Sequence, residues 1–124
     1  MPKTHSHLQP DLTYARKALA ALVAYLRVQP AKDDALVIAS IGDLQIRIDA
    51  ADALAQRISG ENAPAHAIIE ARLAAAHAAR LASTLHGELT GSDLPRQLST
   101  EPETPLLTQR RQLGDYYLNG VAIA

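Results

Sequence analysis

From Val37 to Ile58 the apolar residues fall at alternating intervals of four and three: Val37, Ile41, Leu44, Ile48, Ala51, Ala55 and Ile58. A strand turns every second residue to the same face, so a run with this spacing buries a single face only as an α-helix. The same rhythm runs through Leu12, Ala15, Leu19, Leu22 and Leu26, and again through Ile68, Ala71, Ala75, Ala78, Ala82, Leu85 and Leu89. Three such stripes leave little of the 124 residues for a sheet. Composition agrees: 24 alanines and 18 leucines favour helix, and four tyrosines are the only aromatics.

Breakers and caps set the limits of each element. Residues 1–10 are polar, end in Pro10 and are expected to be a disordered arm, with the folded domain over 11–124. Asp11 is placed to cap a first helix that runs to about Val28 and stops before Pro30. Asp33 or Asp34 can cap the second, expected over about 35–59, and Gly60 suits a left-handed stop. Asn62 is a candidate cap for a third helix that starts near Ala63 and is followed by Gly91. Pro95, Pro102 and Pro105 then break the pattern. A fourth helix from about Pro105 to Leu118 sets Leu106, Arg110, Leu113 and Tyr117 on one face and ends at Asn119-Gly120. Four amphipathic helices with short links predict an all-α, up-down four-helix bundle.

Charge and residue types exclude several functions. Twelve Lys and Arg against thirteen Asp and Glu give a net charge of −1, which offers no basic field for nucleic acid. Without cysteine there are no disulfides, thiolate metal sites, iron–sulfur clusters or thiol nucleophiles. The longest uncharged apolar run, Ala18 to Leu26, is nine residues and too short for a bilayer, so no membrane is expected. The opening residues lack the apolar stretch of a signal peptide, which predicts a cytoplasmic location. His66 and Glu70 share a helix face, but no Glu-x-x-His occurs, so no metal site is expected. Phosphate-cradling glycine loops and a nucleophile elbow are absent as well. Asp43, Asp49 and Asp52 with Arg47 are spaced for a solvated, ion-paired face. No catalytic residue is assigned; residue chemistry alone gives a helical interaction module.

Two stretches carry more than periodicity. Ile41-Gly42-Asp43-Leu44-Gln45-Ile46-Arg47-Ile48-Asp49-Ala50-Ala51-Asp52-Ala53-Leu54 and Leu113-Gly114-Asp115-Tyr116-Tyr117-Leu118-Asn119-Gly120-Val121 both resemble the C-terminal helical domain of the acyl-CoA dehydrogenase superfamily. The similarity is nearest to its dibenzothiophene monooxygenase-like branch, the flavin monooxygenases of sulfur acquisition. Glu88-Leu89-Thr90-Gly91 matches that family after its third helix, so the resemblance covers nearly all of 11–121 in order. It implies a bundle that forms an oligomer core, dimer or tetramer, and closes a flavin site for FAD or FMN. It also implies a truncated or split C-terminal domain of a flavin-dependent oxidoreductase or monooxygenase. The missing domains would then be supplied by a separately encoded flavin-binding subunit.

By the same resemblance the cofactor-binding residues are Arg27, Tyr116, Tyr117, Asn119 and Gly120. By position alone Arg27 is also a helix-end cation favoured by the dipole, and one helix cannot aim both tyrosines inward. Thr100 and Glu103 stand where the branch has histidines, and neither offers an imidazole base. The chain alone is therefore expected neither to retain flavin nor to oxidise an acyl-CoA. The alternative expectation is a non-catalytic helical oligomerisation module. Ile38, Leu54, Leu73 and Leu81 add apolar surface outside the stripes, which predicts self-association.

Overall fold

A computed structural model describes residues 7–60, 62–96 and 104–123. The chain folds into α1 (Leu8–Leu26), a 3-10 turn (Pro30–Asp33), α2 (Ala35–Arg57), α3 (Ala65–Thr90) and α4 (Leu106–Asn119), with no strand among the described residues. The all-α expectation holds. None of these helices is long and apolar enough to cross a membrane.

All three stripes point inward. Leu12, Ala15, Leu19, Leu22 and Leu26 of α1 are buried, as are Leu44, Ile48 and Ala51 of α2. Facing them, Ala71, Ala75, Ala78, Ala79 and Ala82 of α3 are fully buried, so small side chains line the helix that its neighbours approach. Leu12, Leu22 and Leu44 lose all their exposed surface, roughly 1.5–3 kcal/mol each by burial. A smaller cluster of Leu8, Ile58, Ala67, Ala71 and Ala75 closes one end. α1, α2 and α3 pack against one another, whereas α4 packs on α3 alone. The result is a three-helix core with a fourth helix on its outer side.

Several boundaries differ from expectation. α1 begins at Leu8, which is buried, so the folded part reaches into the expected arm; residues 1–6 lie outside the described residues. Asp11 is therefore not a cap: it sits inside the first turn of α1 and is buried. Asp34 does cap α2, accepting from the backbone N–H groups of Leu36 (2.8 Å) and Val37 (3.2 Å). Gly60 is not left-handed; the turn before α3 uses Asn62 (φ 64°) instead, and Pro64 takes the N-cap position. Gly91 (φ 77°) and Gly120 (φ 68°) do end α3 and α4 in the left-handed conformation that glycine tolerates.

In α4 the inward face is also not the expected one. Arg110 and Tyr117 are exposed, and the buried residue is Gln109, between half-buried Leu106, Leu113 and Tyr116. Of the four residues expected to add free apolar surface, Ile38 is exposed, Leu54 and Leu81 are half-buried, and Leu73 is buried. The core therefore takes in more than the three stripes.

Candidate functional site

Tyr116 and Tyr117 meet the start of α3. The Tyr116 ring stacks on His66, centroids 4.7 Å apart and nearly coplanar, while Tyr117 stands edge-on to both rings. Tyr117 donates its phenol to Glu70 Oε1, and Arg57 Nη2 donates to Glu70 Oε2 at 3.1 Å. One tyrosine is thus half-buried and the other, 63 % exposed, lies along the surface. Beyond them Asn119 Nδ2 donates to Asp115 Oδ1 (2.8 Å), and the Gly120 N–H closes the helix on the Tyr116 carbonyl (3.1 Å). His66 and Glu70 prove to be the seat of the C-terminal tyrosines.

Electrostatics at this seat do not suit proton transfer at neutral pH. The phenol of Tyr117, aided by Arg57, holds the Glu70 carboxyl below the usual carboxylate range, and the same hydrogen bond raises the Tyr117 phenol above its ordinary value. A carboxylate already held by two donors and depressed in this way is a weak base. The consequence for stability has two sides. Glu70 contributes fully above its unfolded value of 4.5 and loses that contribution as pH falls through its depressed folded value. Tyr117 contributes below 10.0 and loses that contribution as pH rises through its raised one. Near-ultraviolet dichroism of the tyrosines is expected to stay constant in between and to drop at both ends. Tyr117→Phe should flatten both limbs, and limbs that survive it would place their cause elsewhere.

Arg27 lies elsewhere. It is exposed just past the end of α1, on the groove that α1 forms with the middle of α2, whereas Arg57, which pairs with Glu70 of the tyrosine seat, is the last residue of α2. Arg27 borders an open groove between α1 and α2 floored by Leu19, Val23 and Ile48 and edged by Arg16, Asp49 and Asp52. Arg16 is held by Asp52 at 2.5 Å across that groove. Within one chain α1 and α4 do not pack on each other, so Arg27 and the Tyr116–Gly120 segment lie on different parts of the helical core.

A buried ionic cluster escaped sequence reasoning. Asp11 accepts from Arg72 Nη1 (3.1 Å) through one carboxylate oxygen and from Arg96 Nη2 (2.7 Å) through the other. Arg96 also lies over the Tyr14 ring, whose hydroxyl donates to the Leu94 carbonyl (2.6 Å). His86 Nδ1 meets the Ser92 carbonyl at 2.9 Å, so residues 92–96 double back from the end of α3 onto α1. Nothing local in the sequence marks this strap, because its partners are about 80 residues apart. Among the other histidines, His77 is exposed, and desolvation, followed by Arg80, Arg110 and Arg47, lowers its pKa. No group of three potential metal ligands occurs among the described residues. Thr100 and Glu103 lie outside them.

No family model, curated protein or solved structure matches the chain. The likeness to the acyl-CoA dehydrogenase superfamily therefore rests on the motif residues alone.

Proposed function

We propose that this chain is a helical association module, similar to the C-terminal domain of acyl-CoA dehydrogenase-like flavoproteins, whose role is to hold copies of itself together in an up-down bundle core. The observation that supports it is the apolar surface left uncovered: Leu36, Ile38 and Ile46 on α2, and Leu107, Tyr117, Leu118 and Val121 on or just past α4. Apolar surface gathered on single helices in this way usually marks an interface. Sedimentation at tens of micromolar, roughly where weak interfaces still hold, should give a multiple of the 13.3 kDa chain. A strict monomer would count against association.

The flavin role is a second reading, favoured by one observation: Tyr117, Leu118, Asn119 and Gly120 are exposed at the end of α4. A flavin-binding subunit encoded elsewhere would meet the chain along that edge, with Arg27 of a different copy or with none. The isolated chain is expected to purify without flavin colour, since a cofactor pocket needs convergent donors. Stoichiometric flavin on the chain alone would overturn that expectation.

A further inference from the structure

α4 is the least anchored helix of the fold. It packs on α3 alone, whereas α1, α2 and α3 each pack on both of the others. Its inward side is Leu106, Gln109, Leu113 and Tyr116, spaced three and four apart. Three of these are half-buried, and only Gln109 is buried. Neither polar atom of that side chain, Nε2 or Oε1, finds a partner among the described residues, so the docked helix carries a cost that an apolar residue would not impose. The ring and hydrogen-bond contacts that hold α4 sit at its C-terminal end, where the Tyr116 ring lies on His66 and Tyr117 donates its phenol to Glu70. Beneath α4 runs a second apolar strip of α3. Ile69, Leu73 and Ala76 are buried, yet they belong to neither core cluster. By helical spacing they stand opposite Ala71, Ala75, Ala78 and Ala82, which face α1 and α2. Arg110 lies close enough to His77 to lower its pKa, and Tyr117 reaches Glu70, so α4 runs antiparallel to α3 and sets Gln109 level with Leu73 and Ala76.

We propose that α4 is a lid: it leaves α3 as one unit while α1, α2 and α3 stay folded, and the open state bares the strip of Ile69, Leu73 and Ala76. Segments that open below global unfolding are those with little burial and few neighbours, and α4 has least of both. No side chain of α1 or α2 has to move for it to leave, because the three-helix core closes without it. Opening also returns the Gln109 amide to water, which offsets part of the apolar contact that is lost. α4 has only 14 residues, and a helix of that length is marginal in water once it stands alone. Undocking and unfolding of α4 are therefore a single event, and its amides open together. The lid opens in a monomer, so it does not depend on association.

Hydrogen exchange on the unaltered chain tests the unit, and single cysteines test what it covers without background, since the chain has no cysteine. The hydrogen-bonded amides of α4 are expected to exchange through one shared opening, roughly tenfold or more as often as the buried amides of α1, α2 and α3. That opening should respond weakly to urea, because it exposes little surface. Ala76→Cys, under the lid, should react with a thiol reagent through the same opening. Ala78→Cys, on the core side of α3, should react only as the whole fold opens, with a steep response to urea. Adding Gln109→Met to Ala76→Cys should slow its labelling about fivefold or more, the effect of relieving a buried unpaired amide in the closed state. Adding Tyr117→Phe instead should speed it, because the hold on Glu70 is lost. Should the cysteine itself prop α4 open, exchange of the unaltered chain still decides the matter. Amides of α4 as protected as those of α3 would overturn the lid, as would Ala76→Cys labelling that matches Ala78→Cys in rate and urea response. Amides of α4 that exchange one by one, with no shared value, would overturn its opening as a unit.

Discussion

Asp11→Ala is expected to destabilise the fold by about 3–5 kcal/mol, the usual cost of removing one partner from a buried ion pair. Asp11 and Arg72 are both buried, and Arg72 Nη1 reaches the Asp11 carboxylate at 3.1 Å. Alanine takes a buried carboxylate away from both Arg72 and Arg96. It also removes an acid from the first turn of α1, where the helix dipole favours one. The loss matters at this scale, because single domains are stable by only about 5–15 kcal/mol. Arg96→Ala provides the contrast. Its side chain is partly exposed, so its pair with Asp11 is better solvated and its removal should cost distinctly less. Urea unfolding at constant m checks both. A loss below about 1 kcal/mol for Asp11→Ala would show that the cluster contributes little net stability.

That cluster also shows where sequence reading stopped. The helical stripes were legible because each keeps its period over five to seven positions, and every predicted inward residue of α1 is buried. Asp34 and the glycines at 91 and 120 were legible because caps act within three or four residues. Asp11 was misplaced for a complementary reason. An acid beside Pro10 has the local look of a cap, and only Arg72 and Arg96, 61 and 85 residues away, make it a buried partner. The tyrosine seat follows the same pattern. Tyr116 and Tyr117 were singled out from the C-terminal motif, and His66 and Glu70 from their spacing on a helix, but only tertiary packing joins the two pairs. Arg27 is an exposed cation at the end of α1, as its position before Pro30 indicated, and only tertiary packing sets it on the groove between α1 and α2. The apolar outer face of α2 was present in the sequence as well. Asp43, Asp49 and Arg47 are exposed there as their spacing indicated, Asp43 paired with Arg47 and Asp49 held by Gln45, beside exposed Ala, Gly and Ile residues.

Gln109→Met is expected to stabilise the protein by about 1–3 kcal/mol, the cost released when a buried polar group without a partner is replaced by an apolar one. Gln109 is 1 % exposed, and neither its amide nitrogen nor its amide oxygen finds a hydrogen-bond partner among the described residues. Methionine matches glutamine in length and nearly in helix propensity, so the substitution changes polarity with little change of shape. The effect should be concentrated in α4, which packs on α3 alone and has Gln109 as its one buried residue. Hydrogen exchange should therefore slow in α4 more than in α1 or α2, since local opening reflects local burial. Gln109→Ala separates polarity from packing. It also removes the amide, but leaves a cavity that costs stability in turn, so it should fall well below the methionine variant. A methionine variant no more stable than the wild type would mean that an ordered water already satisfies the amide, as buried waters do in polar sites.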